Sequence, residues 1–435
     1  MQLPDRMTDL LSMVRSGSIT VKQAQDAQRS KALELNQSLH AAVCFHDSGD
    51  ETYQGAFSGV ALAHKDIFDM SGRAPGCGVN SGVDAPQTVP AEVLNLLRQQ
   101  GAMHMASLVM APCAAGATAQ NPHFAACVNP LDSLAAVGGS SSGSAVAVAS
   151  GMSYASLGSD TSGSVRIPAA SCGILGLKTT LGLVSTQGCM PLAPSLDTIG
   201  VLARYAEDAQ CVLQAVLTEG ARSQLVEVNP QQLRLKAWFP PDLDPEVACV
   251  MLQALDEFGV EFHINHLHGF NDLSEWANQV LCKEVSQTFS KALQNAIAEP
   301  GVRSLAKFGT SVSEQAYQDA MHQRQKRCAA FLLQNLADAD LLIFPALQVP
   351  LPDWREVEIG ASSFCKPKFL GMFYYMGFLN YLGLPCLSLP AGRDRGGRPV
   401  AVQVLGRPLM DMALLEWAKS LESVWGKWSQ RFSIH

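Results

Sequence analysis

Serines embedded in glycine-rich sequence are the residues of this chain best placed to act as nucleophiles. The first such segment reads GGSSSGS over residues 138–144 and runs directly into a small apolar stretch, residues 145–150. Flexible linkers rarely lead straight into a compact apolar helix, so the pattern favours a loop that feeds a helix N-terminus. Free N–H groups at such a terminus can stabilise developing negative charge. A phosphate-binding loop would need Gly-Lys followed by Ser or Thr, which this segment lacks.

A second segment reads GSDTSGSVRIPAA over residues 158–170. Four small residues follow one another in it: Thr161, Ser162, Gly163 and Ser164. Their backbone N–H groups could converge on one point, as an oxyanion hole requires. A tight turn without a catalytic role is the competing interpretation, and this segment alone does not separate the two.

Lys65 ends the short apolar run of residues 60–63 in the sequence VALAHKD. A lysine that leaves a buried strand is most often a solvated edge residue, and this is the favoured interpretation of Lys65 taken alone. The alternative is a base, because removal from water lowers the pKa of a lysine until its neutral amine can accept a proton.

Taken together, the three segments resemble the amidase signature family. The resemblance places the family's catalytic lysine at Lys65, its serine in a cis peptide at Ser140 and its nucleophilic serine at Ser164, with the family's spacing of 24 residues between the serines. It covers roughly residues 8–420 and is weakest in the middle. Further similar stretches are NPHFAACVNPLD, PAASCGILGLKTTLGLVSTQGCMPLAPSLDTIGVLAR, NYLGLPCLSLPAG and GRPVAVQVLGRP.

The chain also departs from the family pattern. Ser162 stands where the family usually has glycine, so a side chain borders the expected oxyanion site and could narrow the acyl pocket. Residues 135–137 read AAV where arginine and proline are frequent, and Leu183 replaces a frequent arginine. These changes leave the three catalytic positions untouched.

The resemblance implies an amidohydrolase in which Ser164 attacks the amide carbonyl and Ser140 relays the proton to neutral Lys65. An acyl-enzyme follows, and no metal or organic cofactor is required. A lysine base predicts a basic pH optimum. Ser141, Arg166 and Asp160 are candidates for supporting the site or binding substrate, although an ion pair of Arg166 with Asp160 or Asp197 is favoured over a substrate carboxylate.

The expected substrate is a small soluble amide or ureido compound that releases ammonia or an amine. The alternative is the glutaminase (A) subunit of an aminoacyl-tRNA amidotransferase, which belongs to the same family, needs partner subunits and tends to be longer. A non-enzymatic module with a decayed site is disfavoured because all three catalytic residues are present.

Two other patterns compete for a functional role. Residues 139–143 satisfy G-x-S-x-G, the nucleophile elbow of α/β-hydrolases, which would make Ser141 the nucleophile, but no clear strand precedes them. His263, His266 and His268 suggest a metal site, although surface histidines are favoured because no carboxylate or cysteine cluster accompanies them.

Strands that alternate with helices must position these residues. Residues 41–45, 59–64, 105–111 and 341–345 predict strands, and residues 385–392 and 399–408 predict two strands joined by a turn at Gly396 and Gly397. Helices are predicted at 246–258, 313–337 and 412–421, with a capping box of Thr20 and Gln23 opening an early helix. The predicted fold is α/β, a single large domain over residues 1–435 with a central mixed sheet covered by helices on both faces. Its catalytic core is expected at about 55–215 and 340–425, and a variable, mostly helical rim at about 220–340.

Composition fits a globular enzyme. Of the 435 residues, 47% are hydrophobic and 16% charged, which permits a large core. The net charge of −8 opposes non-specific nucleic-acid binding. The sequence predicts no secretory signal and no membrane span, and twelve scattered cysteines favour reduced thiols and a cytoplasmic location. A homodimer and a small accessory subunit stay open as partners.

Overall fold

A three-stranded sheet carries Lys65. The computed structural model describes residues 2–46, 54–70, 73–79, 90–260, 262–295 and 298–424. The helices α1 (Met7–Arg15) and α2 (Val21–Leu39) precede the strands β1 (Ala42–Phe45), β2 (Ala61–Lys65) and β3 (Met103–Leu108). The strand order is β1-β3-β2, in which β3 runs antiparallel to β1 and parallel to β2. All five residues of β2 are buried.

An eight-stranded mixed sheet forms the larger frame. Its strands are β4 (Ala155–Asp160), β5 (Leu175–Lys178), β6 (Thr198–Ala203), β7 (Leu235–Trp238), β8 (His263–Ile264), β9 (Leu341–Pro345), β10 (Cys386–Arg393) and β11 (Pro399–Leu405). The order is β4-β6-β5-β10-β11-β9-β7-β8, and only the pairs of β7 with β8 and β9 are parallel. The two sheets meet at β2 and β4, where the Leu157 N–H donates to His64 Nδ1 at 3.0 Å.

The other described helices pack against the two sheets or against one another. They are α3 (Glu92–Gln99), α4 (Ser142–Ala149), α5 (Arg166–Ser171), α6 (Ala206–Val216), α7 (Glu219–Arg222), α8 (Pro245–Glu257), α9 (Phe270–Thr288), α10 (Ser290–Gln294), α11 (Pro300–Gly309), α12 (Glu314–Asn335), α13 (Lys366–Gly371), α14 (Gly377–Leu382) and α15 (Asp411–Val424). Single 3-10 turns lie at Pro112–Ala114, Pro230–Gln232 and Trp354–Glu356.

Alternation along β6 explains why helices pack on both faces. Ile199 and Val201 join the apolar core that contains α6, whereas Leu202 joins a second core with α4 and α5. Successive side chains of a strand point to opposite faces, so one strand serves two helical layers. The predicted α/β fold, a mixed sheet between helices in a single domain, is confirmed.

Most predicted elements lie within a few residues of their expected bounds. The Thr20–Gln23 capping box is present, with Thr20 Oγ1 accepting from the Gln23 N–H at 3.2 Å. The predicted hairpin is β10 and β11, and Gly397 has a φ of +84° in its turn. The strand predicted at 105–111 instead begins at Met103 and ends at Leu108, because the chain turns before Pro112.

Many apolar side chains of the described helices are buried in these cores. Within the described ranges, no helix combines the length and the hydropathy that crossing a bilayer demands. No disulfide joins the twelve cysteines, all of which lie in described residues.

At Gly143, α4 packs closely against the backbone that adjoins β1 and β3 of the three-stranded sheet. A Cβ atom built at Gly143 would lie 2.3 Å from the carbonyl oxygen of Ala41 and 2.6 Å from the backbone nitrogen of Val109. Both neighbours are main-chain atoms, so neither can move aside as a side chain could.

Gly143→Ala should therefore lower the free energy of unfolding by about 3 kcal/mol, since overpacking against backbone forces the helix away from the sheet. Gly220→Ala is the matched control, because Gly220 lies in a helix with nothing within 4 Å of an added Cβ. Urea denaturation of both variants measures the difference. Equal stability of the two would contradict the close packing described for α4.

Candidate active site

Lys65 is 1% exposed at the end of β2, so the interpretation of this lysine as a solvated edge residue was wrong. The reason is tertiary, since β2 is covered by β3, β4 and α4. Lys65 Nζ lies 2.7 Å from Ser140 Oγ and 2.8 Å from Ser159 Oγ, and it reaches the Ser159 carbonyl at 3.4 Å. The amine therefore finds its polar partners in hydroxyl and carbonyl oxygens.

Burial lowers the pKa of Lys65 to about 8, while the nearby Cys189, Asp160 and Asp197 act in the opposite direction. A charged amine is costly to hold in a medium of low polarity, which favours loss of its proton. Near pH 8 a large fraction of Lys65 is thus a neutral amine that can accept a proton.

Ser140 lies in the loop that enters α4 and is completely buried. The Gly139–Ser140 peptide bond is cis. The carbonyl of Ser140 accepts from the Ala111 N–H at 3.0 Å, which fixes the loop against the chain that follows β3. A Cβ at Gly139 would lie 2.8 Å from the carbonyl oxygens of Gly116 and Thr118, so this position requires glycine.

Ser164 lies in the turn between β4 and α5. Its carbonyl accepts from the Ser141 N–H at 3.1 Å, which joins the backbone of this turn to that of the first serine loop. Ser164 is 8% exposed, whereas Ser140 is completely buried. Of these two serines, Ser164 is the more accessible to a molecule that enters from solvent.

The carboxylate of Asp160 uses one of the four N–H groups predicted for the oxyanion hole. It accepts from the Gly163 N–H at 2.8 Å and from the Val165 N–H at 3.2 Å, so Gly163 has no N–H to offer a ligand. In the described part of the chain, the other three N–H groups of that prediction, those of Thr161, Ser162 and Ser164, make no hydrogen bond to a loop backbone carbonyl. These three groups are the candidates for stabilising an oxyanion.

The hydroxyl of Ser162 lies beside α14. A Cβ built at Gly377, the first residue of α14, would lie 2.8 Å from Ser162 Oγ. The serine that replaces the usual glycine is thus accommodated where α14 also lacks a side chain.

The predicted ion pair of Arg166 with Asp160 is present, with 3.0 Å between Arg166 Nη2 and Asp160 Oδ1 and both side chains fully buried. Gln403 and Asn380 accept from the same guanidinium, each at 2.7 Å. Burial alone would raise the pKa of Asp160, but Arg166 outweighs burial and holds this pKa well below its ordinary value. Arg166 is thereby committed to the interior and is not placed to bind a substrate.

Sequence analysis missed Ser159 and gave Asp197 no role of its own. Asp197 Oδ1 accepts from the Thr161 hydroxyl at 2.6 Å, and burial raises the pKa of Asp197 to about 6. Ser159 adjoins Asp160 in the quoted motif, but its contact with Lys65 depends on the packing of β2 against β4, which no local pattern reveals.

The competing patterns do not form sites here. No strand precedes residues 139–143 in the way that a nucleophile elbow requires, and Ser141 Oγ packs against Gly158 of β4. His263, His266 and His268 are exposed, and β8 ends before the second of them. Over the residues described, no three His, Cys, Asp or Glu side chains are grouped to hold a metal ion.

Comparisons with known proteins agree on one family. The family model described as Amidase matches residues 22–415. The A component of the glutamyl-tRNA(Gln) amidotransferase of Wolinella succinogenes is 28% identical over 94% of this chain and 99% of its own length. The same component from Oleidesulfovibrio alaskensis is 30% identical over 85% of this chain and 84% of its own.

Solved structures share the fold over nearly the whole chain. The structure of 6-aminohexanoate cyclic dimer hydrolase has a TM-score of 0.88 at 22% identity and covers 100% of both chains. A crystal structure of an amidase has a TM-score of 0.84 at 27% identity and covers 97% of this chain and 100% of the other.

Asp160→Asn should lower the free energy of unfolding by about 3–5 kcal/mol, because it leaves the Arg166 guanidinium buried without a counter-charge. Asp340→Asn is the matched control, since Asp340 pairs with Arg234 at the surface, and we expect little change there. Denaturant titration monitored by circular dichroism measures both. A loss in Asp160→Asn no greater than in the control would contradict the role assigned to the buried pair.

Proposed function

Because this chain belongs to the Amidase family and is an amidase, we propose that it cleaves the C–N bond of a small amide through a Ser164 acyl-enzyme. The single observation that carries the proposal is the 2.7 Å contact between Lys65 Nζ and Ser140 Oγ. A buried amine with its pKa lowered to about 8, in contact with a hydroxyl, is a suitable proton acceptor near neutral pH.

In the proposed mechanism, neutral Lys65 accepts the proton of Ser140 while Ser140 accepts that of Ser164. Ser164 Oγ forms a bond to the carbonyl carbon, and negative charge develops on the carbonyl oxygen. The N–H groups of Thr161, Ser162 and Ser164 would stabilise that charge, since Asp160 already occupies the N–H of Gly163.

The tetrahedral intermediate then collapses. The C–N bond breaks, and the proton held by Lys65 returns through Ser140 to the leaving nitrogen, so that ammonia or an amine departs. Water takes the place of the leaving group, the same relay removes its proton, and hydrolysis of the ester restores Ser164. Each proton taken up by Lys65 is thus given back within the cycle.

We propose a small soluble amide or ureido compound as substrate. The solved amidase at 27% identity supports an amide, and the net charge of −8 argues against a polyanionic substrate. A cytoplasmic location is part of the same proposal.

Glutaminase activity within an aminoacyl-tRNA amidotransferase is the second candidate. Two observations favour it: the curated relatives with 28% and 30% identity are components of such enzymes, and the match to the Wolinella succinogenes protein covers 99% of that protein.

The pH dependence tests the lysine base. With Lys65 as base, kcat/KM should fall about tenfold per pH unit below an apparent pKa of about 8, because the protonated amine cannot accept a proton. Lys65→Ala should lower kcat by about 10²–10⁴-fold. A rate that stays flat from pH 6 to 10 would contradict the assignment.

Lys178→Met is the matched control for this experiment. Lys178 is also fully buried, and burial together with Arg166 lowers its pKa to about 8. Its amine donates to the Thr179 carbonyl at 2.9 Å rather than to a serine of the site. We expect kcat/KM of this variant to fall below pH 8 as it does in wild type. Loss of that fall would show that Lys178, and not Lys65, is the group that titrates.

A panel of substrates separates the two candidate functions. Ammonia release by the purified chain alone from simple amides and ureido compounds, at rates well above those with glutamine, would support the small-amide amidase. Glutamine hydrolysis that requires copurified partner proteins and rises with tRNA would support the amidotransferase component instead. Ser164→Ala should abolish either activity and serves as the blank.

A further inference from the structure

Two side chains of the helical region contact the backbone of Ser195, a residue of the catalytic core. The Ser195 N–H donates to Glu284 Oε2 of α9 at 2.9 Å, and its carbonyl accepts from Arg324 Nη1 of α12 at 2.7 Å. Glu284 is 4% exposed. Tyr317 donates to Oε1 of the same carboxylate at 2.8 Å, on the side away from Ser195.

Ser195 belongs to a tight turn, residues 192–197, that ends at Asp197. The Asp197 carboxylate accepts from the Leu192 N–H at 2.9 Å and from the Ala193 N–H at 3.2 Å, which closes the turn on itself. Its Oδ1 also accepts from the Thr161 hydroxyl at 2.6 Å. A displacement of Ser195 would therefore be transmitted to Thr161.

Arg324 has a second contact, which leads to the turn that contains Ser164. Its Nη2 donates to the Asn380 carbonyl at 2.8 Å, and the Asn380 amide donates to the Asp160 carbonyl at 2.8 Å. The residue after Asp160 is Thr161, so the two routes converge on the start of the segment 161–164.

We propose that Glu284 and Arg324 are positioning residues that hold the turn 192–197, and through it Thr161, where its N–H can stabilise the oxyanion. This rests on the proposed function, which it deepens by assigning the helical region a role in the rate of acylation. Neither side chain contacts the reacting atoms. Both act through Ser195, and Arg324 also acts through Asn380.

A purely structural role is the alternative, in which the two side chains only fasten the helices to the core. Those helices already bury apolar side chains, among them Val280 and Val285 of α9 and Phe331 of α12. Loss of a hydrogen bond to a loop should therefore leave them docked. The proposal places the effect in kcat, since a small shift of a positioned group can cost about a hundredfold in rate.

The test compares Glu284→Ala and Arg324→Ala with three further variants. Glu284→Gln keeps an acceptor for the Ser195 N–H. Tyr317→Phe removes only the hydrogen bond to the Glu284 oxygen that does not contact Ser195. Arg327→Ala removes a second arginine of α12, whose guanidinium lies over the Trp276 ring. Steady-state kinetics on the best amide from the panel gives kcat and KM. The rate at which a fluorophosphonate labels Ser164, measured by intact mass on the folded fraction, gives a second reading that does not need turnover.

We expect Glu284→Ala and Arg324→Ala to lower kcat and the labelling rate about tenfold to a hundredfold, with KM within twofold of wild type. Glu284→Gln should recover most of the loss, and the other two variants should match wild type. Unchanged kcat in both alanine variants would overturn the proposal. So would a rise in KM at constant kcat, or a loss in Glu284→Gln as large as in Glu284→Ala.

Failure of the proposed function gives a different result. If wild type is not labelled at Ser164 and Ser164→Ala keeps the amidase activity, the acyl-enzyme itself is wrong and the positioning role falls with it. If wild type is labelled and the alanine variants are labelled equally fast, only the positioning role is wrong.

Discussion

The removal of one primary amine from water is the constraint on which this structure depends. Lys65 must be buried deeply enough for its pKa to fall, and its neighbours must not raise that pKa back to its ordinary value. No carboxylate within the described ranges lies at ion-pair distance from Lys65 Nζ, because the two acidic residues nearby are committed elsewhere. Asp160 pairs with Arg166, and Asp197 accepts from the Thr161 hydroxyl and from two N–H groups of its own turn. Hydroxyl and carbonyl oxygens are left to surround the amine, and these stabilise it without fixing its charge.

The buried Asp160–Arg166 pair helps to fix the turn around Ser164. Its hydrogen bonds reach the nucleophile turn through the Gly163 N–H, β11 through Gln403 and α14 through Asn380. A buried ion pair is worth little as a source of stability, but its geometry is demanding, and here that geometry joins three separate parts of the chain. The cost of burying two charges is thus offset by the hydrogen bonds that shape the turn around Ser164.

Much of the fold could be predicted from the sequence, because capping residues, glycine turns and apolar periodicity act locally. The hairpin of β10 and β11 and the strand at Leu341–Pro345 are examples. The resemblance to a family placed Lys65, Ser140 and Ser164 as candidates, and the structure brings Lys65 against Ser140. Two features could not be predicted: the contact from Ser159 and the occupied N–H of Gly163. Each depends on which strands and turns become neighbours in space, and residue type does not encode that over short windows.

The hydroxyl of Ser162 and the bare backbone of Gly377 fit each other across the boundary between the nucleophile turn and α14. Neither residue can then be judged alone, because a side chain at 377 is tolerated only if the one at 162 is removed or turned away. Changes at contacting sites are not additive, so the two positions are epistatic. With glycine at 162, the nearest atom to a Cβ at 377 would be the Cβ of Ala277 at 3.8 Å, so the residue present at one position sets what the other position tolerates.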